Sequence, residues 1–339
     1  MRINRSILIA AAALTALGLG AGQAWAWGST GHRLIGQLAV ETLPTQLPAF
    51  LHTREASDAI GEMARDPDRS RGAGQPHDAD LDPGHFIDLT DDGKTLGGNS
   101  ITAMPRDRDD YDVTLHAAGL NMTKGGYLYY NLLDGYEQLA KDFAYYRVET
   151  AALKRWTDPQ QKAWLVADLR LREQIIIRDL GWWAHFVGDA SQPMHVSIHY
   201  NGWGDYPNPN NYTQDKIHIP FEGAFVYANV TKQGVRAAMA PPTVCAGAIE
   251  ACVSAYLSTT LTQVDPVYAL WTKGGFQNKD PRGVAFATDR VAAGAAALRD
   301  FVTKAWIESE QGSVGYPALS VRAVELGAPI PFATLYGDD

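Results

Sequence analysis

The string WAHFVGDASQPMH at positions 183–195 constrains this chain more than any other feature. His185 and Asp189 stand four residues apart, and on a helix that spacing puts both side chains on one face. An imidazole and a carboxylate one turn apart can offer two ligands to a zinc ion. The Gln192-Pro193 step should end or kink such a helix, and His195 follows within two residues of it. One short segment therefore sends three metal-competent side chains into one region. A lone His-x3-Asp pair is also what a core histidine beside a surface aspartate looks like, so the rest of the chain decides between the two readings.

Residues 1–26 read as a secretory signal: Arg2 and Arg5 give a basic start, an apolar run spans Ile7 to Leu19, and Ala24-Trp25-Ala26 fits the small-x-small cleavage rule. The protein is therefore expected to be exported, to the periplasm or beyond the cell. Cleavage after Ala26 would make Trp27 the first residue. Its free amine and its own carbonyl oxygen could then chelate a metal in a five-membered ring, with His32 five residues on. A helix starting at Ser29 or Thr30 is compatible with that. Residues 27–339 are expected to form one domain, and no later stretch is long enough to span a membrane.

The chain carries a formal charge of −9, and losing Arg2 and Arg5 makes the remainder more negative still. Such a protein is poorly suited to gripping phosphate backbones with its own charge, unless bound dications supply positive charge locally. The 2 cysteines, Cys245 and Cys252, cannot build a cysteine-based zinc site. In an oxidising compartment they are expected to form one local disulfide. Any metal site must then be made of His, Asp and Glu.

The apolar spacing predicts an all-α fold, with helices over Thr30–Leu43, Leu47–Arg65, Leu128–Trp156, Pro159–Val187, Ala246–Lys273 and Asp280–Ser309. Thr157-Asp158-Pro159 is a start signal for the fourth. Residues 66–125 are rich in Asp, Gly and Pro and read as a long ordered loop, a length that usually serves function. His199–Tyr212 reads as a second polar loop. Trp182 and Trp183 are read as core, and His77, His116 and His199 as ordinary polar residues.

Further candidate ligands are spread along the chain. His85 lies in GHFIDL, with Phe86 and Asp88 directly behind it. His218 begins HIPFE, a second His-x3-acid pair closed by Glu222. RDPDRSR offers Asp66 and Asp68 with Arg69 and Arg71 in a turn-rich setting.

In these motifs the chain resembles the zinc-dependent, single-strand-preferring nucleases of fungi and plants, to which zinc-dependent phospholipase C is related. The resemblance follows, in order, WGSTGH, an Asp in a polar turn, HFID, HFVGDASQPMH and His-x3-acid. The C-terminal third carries no matching motif. The resemblance implies a helical domain with long loops around three zinc ions. One ion would take Asp68, His85, His185 and Asp189. A second would take the Trp27 amine and carbonyl, His32, and the other side of Asp189. A third would take His195, His218 and Glu222, where the nucleases usually have Asp and phospholipase C has Glu. Asp68 is favoured over Asp66 because Arg71 then falls where the family places an arginine near the scissile phosphate, although Asp66 with Arg69 has the same spacing.

The implied activity is hydrolysis of single-stranded DNA or RNA to 5′-phosphate products by zinc-activated hydroxide, together with 3′-nucleotidase activity. Arg71 would act on the developing charge, and Phe86 and Asp88 would form a base pocket. Stacking on Phe86 needs an exposed base face, which excludes a base held inside a duplex. The competing readings are a phospholipase C acting on lipid head groups and a non-catalytic periplasmic zinc-binding protein. No stable protein partner is expected.

Overall fold

In the computed structural model, residues 27–337 are described. The proposed signal segment, residues 1–26, lies outside the described residues. The architecture is all-α, and its one sheet among the described residues pairs two short strands, β1 (Ser313–Val314) and β2 (Leu319–Ser320).

Seven helices carry the fold: α1 (Gly28–Glu41), α2 (Arg54–Met63), α3 (Leu128–Arg155), α4 (Pro159–Asp189), α5 (Ile249–Leu261), α6 (Val264–Thr272) and α7 (Pro281–Glu308). The long antiparallel pair α3–α4 forms the spine. Helices α1, α2 and α7 pack against it around a continuous core that includes Ile35, Leu38, Ile60, Leu180, Trp183 and Val291. A smaller cluster around Val148, Leu165 and Val321 closes the far end of the spine.

The start of α4 follows its sequence signal. Asp158 accepts hydrogen bonds from the backbone N–H groups of Gln160 and Gln161, both at 2.9 Å, and Pro159 takes the first helical position, where no N–H is needed. The helix runs through Asp189 and stops before Gln192-Pro193.

Three expectations need correction. The segment expected as one helix over Ala246–Lys273 breaks between Leu261 and Val264. Pro266 explains the break: it has no N–H for a helix interior and fits only within the first turn of a new helix. The segment over Leu47–Arg65 likewise divides at Thr53, whose hydroxyl caps α2 by accepting from Ala56 N at 3.1 Å. Residues 66–125 are not loop throughout, since Arg108–Ala117 is helical behind the cap Asp107, which accepts from Asp110 N at 2.9 Å. Only Tyr111 and Leu115 of that helix are buried, too short an apolar stripe to stand out in an Asp-, Gly- and Pro-rich stretch.

Candidate metal centre

The C-terminal end of α4 is the floor of the site. It carries His185 and Asp189, both fully buried. Its last carbonyls, which a helix end leaves without intrahelical partners, are satisfied by backbone N–H groups of the following turn and by side chains. The Trp27 indole N–H reaches Gly188 O and Ser191 Oγ, each at 2.9 Å, and Tyr256 donates to Val187 O at 2.9 Å. Helix α1 lies close enough to bring His32 flat against His185, with ring centroids 3.9 Å apart. Glycine at 188 permits this approach, because a Cβ there would sit 3.1 Å from the His32 ring.

The second wall is the turn Asp82–His85 and the extended stretch after it, residues 86–89, running beside residues 195–198. The two are zipped by Ile87 N to His195 O at 2.9 Å and Ile198 N to Leu89 O at 3.0 Å. On its other side Asp88 N donates to Gly125 O at 2.9 Å. Gly126 meets Phe86 so closely that a Cβ would lie 2.1 Å from the Phe86 carbonyl oxygen. This stretch holds His85 over the centre and presents Phe86 and Asp88 beside it. The third wall is the π-helical segment Pro220–Phe225, which carries Glu222 one turn after His218.

Three groups of donor atoms result: Asp68, His85 and His185; His32, His185 and Asp189; and His195, His218 and Glu222. In the first two, Asp189 offers one oxygen to each side. Its Oδ1 lies 3.5 Å from His32 Nε2, and its Oδ2 lies 3.2 Å from His85 Nδ1 and 3.3 Å from His185 Nε2. His85 Nδ1 and His185 Nε2 stand 2.8 Å apart, and Asp68 Oδ1 is 3.9 Å from His185 Nε2. In the third group Glu222 Oε2 lies 2.8 Å from His218 Nε2 and 3.6 Å from His195 Nε2.

The hydrogen bonds around these groups suit metal binding. His185 Nδ1 donates to Ala64 O at 2.9 Å, His195 Nδ1 to His85 O at 2.7 Å, and His218 Nδ1 to Tyr200 O at 2.7 Å. A carbonyl oxygen only accepts, so each Nδ1 carries a proton and each ring turns its Nε2 inward. Asp68 Oδ1, Asp189 Oδ1, His195 Nε2 and Glu222 Oε1 are buried and make no hydrogen bond. A buried polar atom left so is costly unless something else binds it.

Burial pushes the His85 imidazole well below its usual range and takes His185 down to about 4, so both rings are neutral and able to ligate. Burial also raises the carboxyls of Asp189 and Asp68, the latter to about 6. A dication among them reverses that preference by giving the ionised carboxylates a counter-charge. At Glu222 burial alone would raise the carboxyl, but the imidazoles of His218 and His195 outweigh it and hold it down at about 2. Nitrogen and oxygen donors in three such groups, without cysteine, fit three Zn²⁺ ions.

The structure separates the two aspartates that the sequence left open. Asp68 is buried and pairs with Arg71 at 3.5 Å. Asp66 faces solvent and pairs with Arg69 at 3.7 Å. Arg71 also reaches Asp82 at 3.4 Å, and its side chain lines a cavity of about 400 Å³. His85, His195 and His218 form the floor of that cavity, Phe86, Leu96, Leu120, Met194 and Tyr200 its apolar walls, and Asp88, Thr123 and Lys124 its remaining polar lining. Burial raises the Asp88 carboxyl well above the usual carboxylate range, and its Oδ1 makes no hydrogen bond.

Other expected residues lie elsewhere. Cys245 and Cys252 are joined by a disulfide. Trp183 is core, its indole donating to Leu132 O at 3.1 Å. Trp182 is half-buried in a separate cavity between α3 and α4. His77 and His116 lie at the surface. His199 is not an ordinary surface residue: it is buried, stacks on Trp203 at 3.7 Å and spans Trp203 O and Asp91. Sequence reading missed Gln192, Tyr200 and Lys124. The QPMH run was a signal for the first, while the other two sit in stretches with no periodicity to flag them.

No protein-family model matches the chain, and no curated protein matches it. Among solved structures the chain is similar to "Alpha Toxin from Clostridium Absonum". Identity is 13%, the alignment covers 87% of this chain and 69% of that one, and the TM-score is 0.41. The likeness is coarse.

Proposed function

We propose that this chain is an exported zinc-dependent phosphodiesterase that hydrolyses single-stranded nucleic acids to 5′-phosphate products. The observation that carries this reading is the make-up of one cavity. Arg71 and donors from the metal clusters share it with Phe86 and the buried Asp88. A phosphodiester needs the first set, and a nucleobase fits the second.

Zinc ions held there supply a nucleophile from water at neutral pH and Lewis-acid stabilisation of phosphate oxygens. Asp68, His85, His185, Asp189 and His32 would hold two of them, with the amine and carbonyl of a freed Trp27 completing the second. His195, His218 and Glu222 would hold the third. Arg71 presents a planar, permanently charged fork to the phosphate, and its pairing with Asp68 and Asp82 fixes where the fork points. Phe86 offers a ring face on which an unpaired base can stack. Asp88, whose carboxyl burial raises well above the usual carboxylate range, offers in its protonated form one donor and one acceptor to the edge of that base. These roles account for single-strand preference, since a paired and stacked base exposes neither its face nor that edge.

A second reading, a phospholipase C acting on lipid head groups, draws support from Glu222 and from the apolar walls at Leu96, Leu120 and Met194. A purely zinc-storing protein leaves Arg71 and the cavity without a purpose.

The deciding experiment gives the purified protein, beginning at Trp27, single-stranded DNA, RNA, duplex DNA and phosphatidylcholine, each with and without a chelator. The nuclease reading expects chelator-sensitive cleavage of single strands well above duplex and no head-group release. Head-group release alone moves the assignment to the lipase, and zinc binding without turnover on any of them rejects both.

A further inference from the structure

We propose that Gln192 is a positioning residue for the third donor cluster: its amide aims the Glu222 carboxylate at His195 and His218 while capping the turn that carries His195. The inference rests on reading that cluster as a zinc site.

Gln192 is fully buried. Its Oε1 accepts from Met194 N at 2.8 Å, and its Nε2 donates to Glu222 Oε2 at 2.9 Å. The amide has one workable orientation. A backbone N–H can only donate, so the oxygen must face Met194 and the NH₂ group must face Glu222. The donors of this cluster come from separate stretches of chain: the Pro193–His195 turn, residue 218, and the Pro220–Phe225 segment. Gln192 ties the first of these to the last.

The choice of a neutral donor matters. Lysine or arginine at 192 would supply a hydrogen bond and also a full positive charge, competing with a dication for the same carboxylate. An amide orients Glu222 without neutralising it. Glu222 Oε1 makes no hydrogen bond, and Oε2 is steered toward both imidazoles.

Two substitutions separate this role from turn capping alone. Gln192→Glu keeps an acceptor for Met194 N–H and removes the donor to Glu222, whereas Gln192→Met removes both. The full chain from Trp27 onward is equilibrated in zinc-buffered solution, its bound zinc counted, and the affinity of the weakest ion measured by chelator competition. Cobalt(II) in place of zinc gives a visible spectrum of each site. Both variants are expected to lose about 10–100-fold in affinity for one of the three ions, the usual effect of removing a group that orients a ligand, and Gln192→Glu should alter the cobalt spectrum of that site alone. If Gln192→Glu holds three ions with wild-type affinity or better while Gln192→Met does not, Gln192 only caps the turn and the proposal falls. It falls equally if neither variant differs from the wild type. A wild-type chain that binds no zinc overturns the metal reading itself, a result distinct from a zinc-loaded wild type matched by its variants.

Discussion

The two ends of the α3–α4 spine bury carboxylates in opposite ways. Toward the far end, Asp142 and Glu149 on α3 are buried, and Arg172 on α4 reaches both, at 2.9 and 3.5 Å. Arg172 is braced there by the Tyr145 ring, 4.6 Å away. At the other end Asp189 is buried just as deeply, but its ion-pair partners are the imidazoles of His32, His85 and His185. A carboxylate buried for architecture is given a permanent cation from the neighbouring helix. A carboxylate ringed by buried imidazoles, with His185 held in place through its other nitrogen by the Ala64 carbonyl, is arranged for a cation that arrives from outside. The contrast separates stability from chemistry within a single pair of helices.

The largest expected effect comes from making the Asp189 end resemble neither. Asp189→Asn keeps the shape and removes the charge between the first two clusters. Bound zinc should fall from three ions to one, and turnover should drop about 10³-fold or more, on the order of 4 kcal/mol of transition-state stabilisation. Metal analysis and initial rates on single-stranded DNA read both, and a variant that keeps three ions breaks the comparison. Arg71→Lys keeps a charge but loses the planar fork. It should cost about 10²-fold in kcat/KM with zinc content unchanged.

The architectural end should respond in stability alone. Arg172→Met leaves two buried carboxylates without their cation and should cost about 3 kcal/mol in urea unfolding at pH 8. The loss should shrink at pH 5, where those carboxyls take up protons, and zinc content should not change. Replacing Cys245 and Cys252 with serine removes a short-loop constraint, with an expected loss of about 2 kcal/mol.

Glu149→Gln should produce the smallest change, and in the stabilising direction. Burial, outweighing Arg172, raises the Glu149 carboxyl from 4.5 to about 7. The folded state therefore holds the proton more tightly than the unfolded chain, and stability is lost as pH rises through that window. Glutamine escapes this loss, so the variant should gain about 1 kcal/mol at pH 8 and nothing at pH 4. A pH series of thermal melts that shows a loss at pH 8 would mean that the Glu149–Arg172 pair is net favourable.

The parts of the centre that were legible in the sequence are those encoded by local spacing. His185 with Asp189 and His218 with Glu222 follow the helical period, and the Gln-Pro break and WGSTGH are contiguous motifs. The groups that orient these side chains were not legible. Ala64, His85 and Tyr200 contribute backbone carbonyls, which no residue type announces. Asp68 could be told from Asp66 only by burial, since both have an arginine at the same spacing. His199 looked like a loop residue because its partners, Trp203 and Asp91, meet it only in the folded chain. Among the helices, the division at Val264 was written in Pro266 and obscured by the helix-forming composition around it. The Arg108–Ala117 helix buries too little to announce itself.

Three clusters of buried donors, grouped at one end of the spine, are read as zinc sites. Anomalous diffraction recorded on both sides of the zinc absorption edge, from crystals of the chain beginning at Trp27, tests that reading most directly. Three peaks are expected, one on each side of Asp189 and one among His195, His218 and Glu222. A zinc-saturated crystal with no peak at these residues, or with peaks only at surface carboxylates, would contradict it.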